Sequence, residues 1–175
     1  VTGAGATDFF SFVDVAVDRA GARVPGLDAR AMRLVLSLYR VSNALVYDLE
    51  STVHRPAGWS WAGFRVLFVL WTAGPLETSR AAELSGMSRA AVSALVNTLE
   101  RDGLVTRTPV ERDRRAVELA LTERGRAALA ETFTAHHARE QRWASALSPD
   151  EADTLTALLE KLMGSDVAAA ANRRS

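Results

Sequence analysis

Apolar positions along the chain repeat mostly at the helical period. Phe9, Phe12, Val13 and Ala16 fall at i, i+3, i+4 and i+7, which predicts an amphipathic helix from Thr7 to about Arg19. Gly21, Pro25 and Gly26 interrupt it, and Asp28 stands where the N-cap of the next helix belongs. That helix is long, with Leu34, Leu38, Val41, Leu45 and Leu49 recurring to about Val53, a stripe long enough to serve a partner chain as well as its own core. After Pro56, Gly58 and Trp59, Ser60 caps a segment from Trp61 to about Ala73 that is apolar nearly all round, and such a helix must be buried. Gly74 and Pro75 stop it in the usual order. A short helix from about Ser79 to Leu84, a turn at Gly86, an N-cap at Ser88 and a second helix from Arg89 to about Asp102 then form a helix-turn-helix signal.

Beyond Gly103 the period falls to two. Leu104 to Thr108 and Val117 to Leu121 predict a pair of strands, and the charged segment Glu111 to Arg115 the tip of the hairpin they make. Thr122 caps a long helix to about Ala146, carrying Leu129, Phe133, His136 and Trp143 along one side. Ser148, Pro149 and Glu151 spell a capping box with proline at the first helical position, and Ala152, Leu155, Leu158, Leu159, Leu162 and Met163 stripe the helix that follows. Ser165 to Ser175 reads as a frayed tail. The elements add up to a mainly α fold with a small β-hairpin wing: a winged helix-turn-helix lobe plus a helical region.

Composition narrows the chemistry. At 175 residues and 48% apolar the chain fits one domain with a sizeable core. Its 21 basic and 21 acidic side chains cancel, so only their distribution can point to nucleic acid. Lys161 is the sole lysine; the arginine bias suits forked contacts to phosphates and base edges, and a GC-rich gene would produce the same bias. The absence of cysteine excludes disulfides, thiolate metal sites and thiol-based redox sensing. No apolar run approaches the roughly 20 residues that span a bilayer. The start, Val1 to Thr7, lacks the regions of a signal peptide, and the expectation is a cytoplasmic protein without membrane partners. His136 and His137, as helix neighbours, cannot both face one way; with no partner set at ligand spacing, the expectation is a surface or interface histidine, no metal and no cofactor. Nothing resembles a catalytic constellation, so an enzyme is not expected.

The helix from Arg89 has two separable faces. Val92, Leu95, Val96 and Leu99 anchor it, while Arg89, Ser93 and Asn97 project opposite at i, i+4 and i+8, with small Ala90 and Ala94 beside them and Ser88 at the cap. Arginine can pair with guanine through two hydrogen bonds, asparagine can do the same with adenine, and alanine can touch a thymine methyl. The competing reading is an amphipathic helix whose polar face merely meets water. At the hairpin tip Arg112, Asp113, Arg114 and Arg115 suit phosphates or a narrow minor groove; a solvated charged tip is the alternative.

From Gly74 to Gly125 the chain resembles the MarR family of winged helix-turn-helix regulators. The resemblance is carried by Gly74-Pro75-Leu76, Ala82-Glu83-Leu84 with Ser88, Val92-Ser93, Leu99-Glu100-Arg101-Asp102-Gly103-Leu104-Val105, Asp113-Arg114-Arg115-Ala116-Val117 and Leu121-Thr122-Glu123-Arg124-Gly125. It implies a homodimer on a palindromic double-stranded operator, with dimerisation helices in 1–58 and 126–165, the DNA-binding lobe in 59–125 and a flexible tail in 166–175. It also implies recognition roles for Ser88, Arg89, Ala90, Ser93 and Asn97 and wing roles for Asp113 and Arg115. Many members carry arginine where Ala94 and Thr98 stand here, and Arg80 and Arg112 are the candidates to compensate. Repression relieved by a small aromatic or anionic effector is the corresponding expectation. Tyr47, His54, Trp59, Trp61 and Arg65 are the candidate pocket, the alternative being that the tryptophans are core. Members that respond to urate use an N-terminal tryptophan, and none precedes Trp59. The N-terminal segment with Phe9, Phe10 and Phe12 is expected to pack against the partner at the dimer interface, the alternative being its own subunit. A winged helix that docks on another protein is the competing function.

Overall fold

The computed structural model describes residues 9–110 and 113–172. It divides into two compact units, 1–48 and 49–175. In the first, α1 (Phe9–Gly21) buries Val13 and Val17, one turn apart on a single face. Asp28 caps α2 (Ala29–Leu49), its Oδ1 accepting from the Ala31 amide at 2.9 Å. Asp14 of α1 pairs with Arg33 of α2, and the Arg40 guanidinium lies 5.0 Å above the Phe12 ring. Leu34, Val35, Tyr39, Val41 and Tyr47 of α2 are exposed.

The second unit begins at the last residue of α2, which runs on into a π-helical turn, Glu50–His54, where Leu49, Val53 and His54 are buried. Ser60 then caps α3 (Trp61–Ala73), accepting from the Gly63 amide at 3.0 Å. Val66 and Leu67 have no exposed surface, and Phe64 and Leu70 have 3% each, so α3 is the central rod of the lobe. Around it pack α4 (Thr78–Ser85), α5 (Arg89–Arg101) and a three-stranded antiparallel sheet of β1 (Leu76–Glu77), β2 (Val105–Val110) and β3 (Asp113–Leu121) in the order β1-β3-β2. Leu76 pairs with Leu119 and Val105 with Leu121, which fixes the apolar face of the sheet against the helices. β1 has no counterpart in the sequence reading.

Thr122 joins the sheet to α6 (Glu123–Ala144). Its hydroxyl donates to the Gly103 carbonyl at 2.7 Å and accepts from the Gly125 amide at 2.9 Å. Ser148 and Glu151 form the expected capping box on α7 (Pro149–Met163), and Pro149 occupies the first turn. No residue of α7 is buried, and its stripe of Leu155, Leu158, Leu159, Leu162 and Met163 lies open. Residues read as a frayed tail instead start another helix, α8 (Asp166–Asn172), with the Ser165 hydroxyl accepting from the Ala168 amide at 3.3 Å. Among the described residues no helix is long and apolar enough to cross a membrane.

His136 corrects the expectation of a surface or interface histidine. It is 4% exposed and its Nδ1 lies 3.1 Å from Nε2 of His54, which has no exposed surface. Its neighbour His137 is exposed, and Glu140 bonds both, Oε1 to His136 and Oε2 to His137, each at 3.0 Å. The carboxylate bonds neighbours on different faces because i+3 and i+4 both lie within its reach.

Candidate nucleic-acid interface

The turn between α4 and α5 is closed by Gly86 in the left-handed region, φ 62°, with the Met87 amide donating back to the Ala82 carbonyl at 3.0 Å. The positive φ is what calls for glycine here, since a Cβ would meet only the flexible end of Arg65, whose Nη2 would stand 2.9 Å away and can move aside. Ser88 then accepts from the Ala91 amide at 3.2 Å and starts α5. Val92, Val96 and Leu99 are almost fully buried in the lobe, and Leu95 packs partly against it. Ser88, Arg89, Ala90, Ala94, Asn97 and Thr98 are exposed and Ser93 is half-buried. The recognition set therefore lies on one accessible face, over a helix that burial of three aliphatic side chains holds down by roughly 1.5–3 kcal/mol each.

A cleft of about 430 Å³ runs between the start of α4, the outer face of α5 and β3; Ser79, Arg89, Ser93 and Val117 are among its walls. Arg65, Arg80 and Arg89 border a second cleft, lined by α4 and its turn to α5. The wing is the β2–β3 hairpin, with Val110 paired to Asp113 and an irregularity at Pro109 and Val110. Arg112 lies outside the described residues, as do the side chains of Asp113, Arg114 and Arg115.

Arg107 of β2 was not singled out by the sequence reading, yet it ties the wing to α5. It donates through Nη2 to Oδ1 of Asn97 and, at 3.3 Å, to the Ser93 carbonyl. Its Nε lies 3.2 Å from a carboxylate oxygen of Glu100, an ion pair without the alignment of a hydrogen bond. The signal was the strand period: Arg107 is two residues from Val105 and opposite Leu119, which puts a charged side chain on the core face of the sheet.

The candidate effector residues divide between the two units. Tyr47 is exposed and belongs to the first unit. His54 and Trp61 stack at 5.4 Å, Trp59 is buried in the core, and Arg65 turns to Gly86. His54 also stacks on Phe64 at 4.2 Å, while Phe133 stacks on His136 at 5.7 Å, so two histidines sit in an aromatic wall. A carboxylate only accepts, so Nε2 of His136 donates to Glu140, while Nδ1 of His136 and Nε2 of His54 share one hydrogen bond. Nδ1 of His54 is buried with no hydrogen-bond partner. Burial first, then the neighbouring His136, holds the His54 pKa down to about 4 from 6.5, against a smaller upward pull from Glu50. Among the described residues no group of three His, Cys, Asp or Glu is placed to hold a metal ion.

Comparison with known proteins places this geometry. The model of the MarR family matches residues 59–117, which hold the helix-turn-helix and most of the wing. The HTH-type transcriptional regulator YwaE of Bacillus subtilis is 34% identical over 139 residues, 79% of this chain and 81% of that one. The transcriptional repressor CouR, solved bound to a 23-mer DNA duplex, is 31% identical over 74% of this chain and 91% of its own, with a TM-score of 0.68. MarR of E. coli, solved with operator DNA, shares the fold at a TM-score of 0.72 and 23% identity, over 78% of this chain and 98% of its own. With an anchored helix, a glycine turn and a paired wing in the matched segment, the chain belongs to the MarR family of transcriptional regulators.

Proposed function

We propose that the chain is a repressor that binds a palindromic operator as a homodimer and is released by a small aromatic or anionic molecule. The observation that carries the DNA reading is the accessible face of α5, where Ser88, Arg89, Ala90, Ser93 and Asn97 share one side of a helix whose other side is buried. A helix so seated can enter a major groove without losing its core contacts. The hairpin tip, Arg112 to Arg115, supplies charge for the adjacent backbone or minor groove. The DNA-bound state of CouR supports the same reading for a relative.

Dimerisation is supported by the open apolar stripe of α7 and by the exposed Leu34, Val35 and Tyr39 of α2. We assign the dimer-forming helices to 1–58 and 126–165 and the lobe to 59–125. We put the effector beside Trp61 and Arg65, the half-buried members of its candidate set, since reaching His54 or Trp59 requires opening the core. A gel shift with the DNA upstream of the gene tests the function. A salt-resistant shift on one palindrome supports it. Retention of any DNA, and only at low salt, indicates instead a winged helix that docks on protein.

A further inference from the structure

The three contacts of Arg107 fix more than the position of the wing. A guanidinium has donors and no acceptor, so of the two ends of the Asn97 amide only the oxygen can face it. The charge-assisted bond takes one of the two lone pairs of Oδ1, and the Ser93 carbonyl and the Glu100 carboxylate hold the guanidinium from two further sides. Asn97 is exposed, and the end of its amide that the arginine does not bond is the Nδ2 donor. An asparagine that reads adenine through two bonds accepts from N6 with Oδ1 and donates to N7 with Nδ2, so the way the amide is turned decides what it can read. The arginine fixes that turn and leaves Oδ1 a second lone pair for a base.

We infer that Arg107 is a positioning residue for sequence readout, holding the Asn97 amide in one of its two orientations so that its donor and acceptor are presented to a base in a fixed order. This rests on the proposed entry of α5 into the major groove. Arg107 touches no base; it acts through Asn97, and its side chain is 30% exposed, with its charge already matched by Glu100. Its removal therefore changes which base is preferred at one position of each half-site, without the general loss that follows removal of a phosphate contact.

Selection from a randomised duplex library, with the full-length wild type, Asn97→Ala, Arg107→Met and Arg107→Lys, tests this. Asn97→Ala marks the base pair that Asn97 reads. Arg107→Met is expected to lose discrimination at that same base pair by roughly tenfold. Its affinity for random duplex and its salt slope stay as in the wild type. Adding Arg107→Met to Asn97→Ala should change nothing further at that position, since one acts through the other. Should Arg107→Met fail to fold, Arg107→Lys keeps the charge and the aliphatic stem; a single ammonium cannot hold all three acceptors in a fixed fork, so it loses the same discrimination to a lesser degree. An unaltered preference at the Asn97 position in the folded arginine variants overturns the inference while leaving α5 as the reader. So does a uniform drop in affinity with a shallower salt slope, which makes Arg107 a phosphate contact. If the wild type itself enriches no sequence, the DNA-reading function fails, and the inference with it.

Discussion

His54 is enclosed by Trp61, Phe64 and His136, and its pKa of about 4 means that the folded protein keeps it neutral where an unfolded chain, at 6.5, would begin to charge it. Above 6.5 neither state takes the proton and the contribution to stability is complete. As pH falls toward about 4 the unfolded state alone binds it, so stability declines, by about 3 kcal/mol at most. Of the groups around the pair, Glu50 pulls the His54 pKa upward and Glu140 is bonded to His136. Urea midpoints followed down that range are expected to fall in the wild type and to fall less in His54→Phe. An equal fall in both would place the titrating group elsewhere. Single residues were legible in the sequence where their chemistry is local. Asp28, Ser60, Ser88, Thr122 and Ser148 all cap the helices they were assigned, because a cap and its amide lie three residues apart. His136 was not, because its partner is 82 residues away. Arg107 reaches Asn97 from a neighbouring element, and only the strand register reveals that it faces α5.

At the scale of elements, the joint between sheet and α6 depends on a glycine for a steric reason. A Cβ on Gly125 would stand 2.1 Å from the Leu104 carbonyl oxygen, which belongs to backbone just before β2 and also accepts from the Thr122 amide at 3.0 Å. Neither side can yield without opening the sheet, so Gly125→Ala should cost on the order of 3 kcal/mol in chemical denaturation. A change within a few tenths would mean that α6 shifts freely at its start. The helices from α3 to α7 were predicted to within a residue or two, since α3, α5, α6 and α7 open on side-chain caps and α4, without one, is stopped by Gly86. β1 was invisible because a two-residue strand has no period; its pairing is a property of β3. The wing strands extend further toward the tip than their alternation indicated, with Val110 and Asp113 paired where a loop was expected. Backbone pairing there does not depend on the hydrophobic pattern that was read.

For the whole molecule, the stripe of α7 is the feature a lone chain leaves unexplained. Leu158 is 54% exposed and Met163 63%, and an apolar helix face of this length is maintained when another surface covers it. The proposed homodimer provides that surface. Leu158→Glu is therefore expected to convert a dimer into a monomer in sedimentation at micromolar concentration while the helical circular dichroism signal is retained; an unchanged mass would remove α7 from the interface. Pairing also decides how DNA is read. One lobe carries one α5, and two related by a two-fold axis reach half-sites about one helical turn, roughly 34 Å, apart. The measurement that bears most directly on this is fluorescence anisotropy of the selected palindrome and of its isolated half-site, each titrated with wild type and Arg89→Ala at physiological salt. The wild type should bind the palindrome at least a thousandfold more tightly than random duplex. The half-site should lose most of that advantage, and Arg89→Ala should lose discrimination at a base pair in each half. Equal affinity for palindrome, half-site and random duplex, untouched by Arg89→Ala, would contradict the reading of DNA by paired α5 helices.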